Sequence, residues 1–96
     1  MTIKEKVLRI MELALAINPP ELVEIGKKKT AVFVDWSPHC NVINIRIHKG
    51  GWNKGVSSDR DITCYTCPEY EHFDTPMDKA IEVLESILDE EREQNV

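Results

Sequence analysis

The sequence predicts an α+β fold with its elements in the order α-β-β-β-α, a three-stranded antiparallel sheet carrying both helices on one face. Three observations predict it. Apolar residues recur at helical spacing near both ends of the chain, at Ile3, Val7, Ile10, Ala14 and Ile17 and again at Met77, Ile81, Leu84 and Leu88, the pattern of a helix buried along one side. Between them "NVINIRIH" alternates strictly, with Ile43, Ile45 and Ile47 in one set and Asn44, Arg46 and His48 in the other. One face of the sheet is therefore expected to be covered and the other to meet water. The connections are short enough for neighbouring strands to run antiparallel. A chain of 96 residues holds one core of this kind and no second, so the expected organisation is a single domain over 1–96.

The first helix opens on Thr2 as cap, with Glu5 three residues on to complete a capping box and Arg9 placed to pair with Glu5. Leu8, Met11 and Leu15 add a second apolar stripe, and residues 13–17 are apolar all round, so this helix calls for cover on more than one side. Pro19 and Pro20 end it, because a proline ring disfavours helical geometry in the residue before it and brings no amide hydrogen. "ELVEIGKKKT" reads either as a short strand with a turn at Gly26 or as an irregular linker. Residues 29–36, "KTAVFVDW", are rich in β-branched and aromatic side chains and read as a strand. The turn residues of "SPHCN" follow, then the alternating strand, then a third strand at 61–66 with Ile62 and Cys64 facing one way and Thr63 and Tyr65 the other. The second helix is expected to begin with Thr75 as cap, Pro76 at its first position and Asp78 near the positive end of its dipole. Ala80, Val83 and Ile87 widen its buried stripe, and the acidic tail from about 89 to 96 is expected to fray.

Apolar residues at 42% and charged residues at 30% are the balance of an ordinary globular chain and exclude a disordered one. No apolar run approaches the length of a bilayer span, and the first ten residues lack the separate basic and apolar regions of a signal peptide. The three cysteines, an odd number, fit reducing surroundings better than a disulfide framework. The expected location is the cytoplasm, with no membrane partner. The net charge of −5 is unevenly spread: residues 27–60 hold seven Lys or Arg against two Asp, whereas the second helix carries Glu82, Glu85, Asp89 and Glu93 at helical spacing. Such a layout acts on the approach of partners more than on stability.

Candidate binding residues cluster in the loop at 49–60, where Gly50, Gly51 and Gly55 give freedom, Lys49 and Lys54 add positive charge, and Trp52 is exposed to choice. Trp52 either folds back over the edge of the core or anchors a partner, as tryptophans at binding hot spots do. A phosphate cradle lacks the helix that normally follows one. In "CYTCPEYEH", Cys64 and Cys67 have the spacing that lets two thiolates reach one zinc; Cys40, His39 or His72 would have to complete the tetrahedron. There is no second C-x-x-C pair, and the alternation gives Cys64 the direction of Ile62, so a buried thiol accounts for it as well. A redox motif of the thioredoxin type would open a helix, and here Pro68 follows. His39 beside Cys40 has no third group to orient it, and no catalytic signature is present elsewhere, so no enzymatic activity and no cofactor other than a possible zinc are expected. On the water-facing side of the sheet Arg46, His48, Thr63 and Tyr65, with Lys27, Lys28 and Lys29, combine positive charge with a ring, the ingredients of single-strand nucleic-acid binding.

The α-β-β-β-α order resembles that of the double-stranded RNA-binding domain over most of the chain, as topology. That family opens its second helix with a Ser-Lys-Lys-x-Ala-Lys type motif; this chain has "TPMDKAIEVLES", acidic where phosphates would sit, and the departure argues against duplex RNA. In size and character the chain is also similar to small accessory proteins of bacteriophages and prophages. The function expected from the residues is that of a small non-catalytic protein that binds another protein or a second copy of itself. The alternative is a single-strand nucleic-acid module using the basic strand region and Trp52.

Overall fold

The computed structural model describes residues 1–20, 30–50, 55, 57–70 and 73–94. Trp52, Lys54, His72, the three lysines at 27–29 and the segment left open between strand and linker lie outside the described residues. Helix α1 spans Ile3–Ile17, β1 Ala31–Ser37, β2 Val42–His48, β3 Arg60–Tyr65, a short 3-10 turn Pro68–Tyr70 and α2 Met77–Gln94. The α+β expectation holds: β2 lies between β1 and β3, both pairings are antiparallel, and the two helices contact each other and the sheet, α1 on β1 and α2 on β3. Among the described residues no helix is long and apolar enough to cross a membrane.

The register explains the core. Val34, Ile45 and Ile62 stand in one row across the sheet, Trp36, Ile43 and Cys64 in a second, Val32 and Ile47 in a third. Residues directly opposite share a face, so these rows all point toward the helices. Ile43, Ile45, Ile47, Ile62 and Cys64 are buried there against Ile10, Leu13 and Ile17 of α1 and Met77, Ala80, Ile81, Leu84 and Ile87 of α2. The helices run side by side in the same direction. Lys6 meets Asp78 at 3.4 Å and Arg9 meets Glu85 at 3.7 Å, while Thr30, at the entry to β1, donates its amide to Glu91 near the end of α2 at 3.2 Å.

Local signals account for most boundaries. The capping box at Thr2 and Glu5 is formed in both directions. Asn41 takes a left-handed backbone (φ 55) to close the hairpin after Ser37, a conformation asparagine tolerates better than most residues. Thr66 falls just past β3, tied by both its amide (2.8 Å) and its hydroxyl (3.1 Å) to the carbonyl of Asn41. One expectation needs correction. The Pro76 carbonyl accepts from the amides of Lys79 and Ala80, so α2 starts one residue later than a Thr75 cap implies, and the Thr75 amide instead bonds the Thr63 carbonyl at 3.2 Å. Helix α2 runs to Gln94.

Candidate interaction surfaces

Strand β1 has one side bonded to β2 and, among the described residues, no strand on the other. The side chain of Asn18, just past α1, reaches the start of that outer side: its Oδ1 accepts from the Val32 amide at 2.7 Å and its Nδ2 donates to the Thr30 carbonyl at 2.9 Å. Backbone groups alternate sides along a strand. The amides and carbonyls of Val34 and Trp36, and the carbonyl of Val32, therefore point the same way as the Val32 amide, and no described group bonds them. The other edge differs: on β3, the outward Thr63 carbonyl is taken by Thr75, and Asp74 bridges to Cys64. Natural edges are usually blunted by lysine, proline or a bulge. Residues 31–37 contain neither lysine nor proline, and their pairing with β2 is continuous.

Beside this edge lies the second apolar stripe of α1. Leu8, Met11 and Leu15 were expected to widen the buried face; they are 57%, 42% and 43% exposed. At 100° per residue they project from the flank opposite Lys6 and Arg9. Because Lys6 and Arg9 face α2 and α1 lies on β1, that flank is on the side of α1 away from α2, where β1 is the outermost described strand. Trp36, at the far end of β1, adds a ring that is 50% exposed. The all-round apolar composition at 13–17 carried the signal for this surface, while the exposure of Trp36 had no sequence signal.

The water-facing side of the sheet is less basic than its residues suggested. Arg46 pairs with Asp35 at 3.0 Å and lies 5.4 Å above the Phe33 ring. Asp61 stands directly opposite Arg46, and Asn44 donates to the Asp61 carboxylate at 2.6 Å. Two carboxylates thus share this face with one guanidinium. His48, expected in water, is only 6% exposed; it does point to this face, opposite Ala31, but the Phe33 ring stands edge-on against it at 5.5 Å. Lys49 is exposed, its amide bonded to the Asp59 carboxylate at 2.6 Å, and its side chain borders a cleft of about 190 Å³ shared with Arg60, Lys79, Glu82 and Glu90.

Tyr65, half-buried at the end of β3, lines a shallow hollow of about 390 Å³ with Tyr70, Phe73 and Asp74. The rings of Tyr70 and Phe73 stack with centroids 5.4 Å apart. Tyr70 and Phe73, two exposed aromatics three residues apart, are the sequence signal for this hollow.

The described cysteines differ in exposure. Cys40 is exposed in the hairpin turn, with its thiol 3.7 Å from the Ser37 carbonyl, Cys67 is half-buried, and Cys64 is fully enclosed in the core. Burial, with the Asp74 carboxylate nearby, pushes the Cys64 thiol up to about 11 from an ordinary 9.0. Cys64 is a buried member of the core, with Ile43 as its row partner. Among the described residues no three His, Cys, Asp or Glu side chains are placed to share a metal ion. At neutral pH, Cys40 is expected to react with a thiol reagent at once and Cys64 only on unfolding. Below pH 9 Cys64 is protonated in both states and its contribution is fully present. Between pH 9 and 11 the unfolded chain sheds the proton and the folded chain keeps it, so stability falls by about 2 to 3 kcal/mol. Denaturation of wild type and Cys64→Ala at about pH 8 and about pH 11 isolates this loss; an equal loss in both proteins removes the assignment.

Set against known proteins, the chain matches no family model, no curated protein and no solved structure.

Proposed function

We propose that this chain is a small non-catalytic protein that works by binding protein, and that the contact is made by the Leu8, Met11 and Leu15 flank of α1 together with the outer edge of β1. The observation that carries the reading is an exposed apolar stripe on the flank of α1 away from α2, on the side of the sheet where the outermost described strand has unbonded amides and carbonyls. A strand edge supplies main-chain bonds to a partner and an apolar flank supplies buried area, the combination used when a sheet is extended by another chain. Leu8→Glu combined with Leu15→Glu is expected to lower specific recovery of a protein partner at least tenfold in quantitative affinity isolation, the chain's own second copy counted among partners, with no change in circular dichroism. Equal recovery by wild type and double variant would remove the reading.

The alternative, binding of single-stranded nucleic acid, draws little from the described residues, since Arg46 is engaged by Asp35 and Phe33 and shares its face with Asp61.

A further inference from the structure

The outer edge of β1 is self-complementary, and we propose that it pairs antiparallel with β1 of a second copy of this chain about a two-fold axis through Val34. The inference rests on the protein-binding reading above and names the partner. In this register Val34 faces Val34 of the second copy, and Val32 faces Trp36. Val34 offers both an outward amide and an outward carbonyl, so the central pair exchanges two hydrogen bonds. Two residues on, the outward Trp36 amide meets the Val32 carbonyl of the other copy, and the symmetric contact repeats it. Such a pair exchanges both bonds, so the Val32 amide, held by Asn18 at 2.7 Å, must leave Asn18 to reach the Trp36 carbonyl of the other copy.

Side chains agree with the same axis. On the water-facing side Asp35 comes opposite Phe33 of the second copy, so no like charges are set against each other, and each Asp35 keeps its own Arg46 at 3.0 Å. A two-fold relating antiparallel strands of one sheet stands perpendicular to that sheet, which puts both helix layers on the same side. The two α1 flanks then face each other above the new strand pair, Leu8, Met11 and Leu15 of one copy against those of its twin. With Trp36 these side chains expose on the order of 400 Å² of apolar surface per copy, about half of what a standard interface buries on each partner, before the strand backbone is counted. The product is a six-stranded sheet in the order β3-β2-β1-β1-β2-β3, whose ends are the β3 edges that Asp74 and Thr75 already cover.

Sedimentation velocity on the full chain tests the proposal. Wild type is expected to be a dimer at micromolar concentration. Val34→Pro removes the outward amide without touching a β1 to β2 bond, a place where an edge strand accepts proline, and is expected to weaken the dimer roughly 30-fold or more. A second variant keeps the question open to decision if that chain misfolds: Val34→Cys, with Cys40→Ser and Cys67→Ser, should cross-link to itself on oxidation, whereas Val32→Cys in the same background should not. A monomeric wild type, a dimer unaffected by Val34→Pro, or failure of Val34→Cys to cross-link overturns the pairing. A monomer that still retains another protein through Leu8 and Leu15 defeats the two-fold alone, and a monomer that retains nothing defeats the protein-binding reading with it.

Discussion

Replacing Ile45 by alanine is expected to remove about 3 to 4 kcal/mol of folding stability, and replacing Arg46, the next residue, no more than about 1. Ile45 lies on the central strand, in one row with Val34 and Ile62, and is fully excluded from solvent. Its truncation loses the transfer free energy of the missing carbons and leaves a void between sheet and helices that packed neighbours fill only in part. Out of a total near 5 to 15 kcal/mol for a domain of this size, that is a large fraction. Arg46 points the opposite way, about half exposed, and loses one carboxylate contact at 3.0 Å and one ring contact at 5.4 Å. Each is worth under about 1 kcal/mol in water. Urea denaturation of the two variants measures the contrast. Comparable losses would mean that the alternation along β2 does not decide which face is core.

That alternation was legible because a strand's side-chain period is two and its burial is one-sided, so Ile43, Ile45 and Ile47 declare the covered face without help from any other segment. The helices were legible for the same reason at period 3.6. What the pattern could not convey is how much cover the chain has to offer. Leu8, Met11 and Leu15 satisfy the spacing of a buried stripe as well as Val7 and Ile10 do, yet α1 has α2 on one flank and the sheet below, and no described element on the other flank. Pairings across the sheet were equally hidden. Arg46 reads as free positive charge until the register sets Asp35 beside it and Asp61 opposite, and His48 reads as solvated until Phe33 is brought against it. Cys64 shows the reverse case: strand alternation alone gave its burial, because it shares its row with Ile43.

The two apolar sides of α1 give the second large effect. Leu13→Ala is expected to remove about 3 to 4 kcal/mol, because Leu13 is packed in the core against the sheet and α2. The loss should be the same at every protein concentration, since the contact lies within one chain. Leu8→Glu with Leu15→Glu should behave in the opposite manner. Leucine and glutamate have similar helix propensity, both sites are solvent-facing, and in dilute protein the double variant should lie within about 0.5 kcal/mol of wild type. If the flank is a contact between copies, the wild-type protein gains apparent stability as it is concentrated, about 0.7 kcal/mol per chain for each tenfold increase well above the dissociation constant, and the double variant gains none. The gap between them therefore widens with concentration, while that between wild type and Leu13→Ala stays constant, because both chains keep the flank. Thermal melts over a hundredfold concentration range separate a core leucine from an interface leucine on the same helix. Melts of wild type that stay constant over that range would return Leu8 and Leu15 to the status of monomer surface.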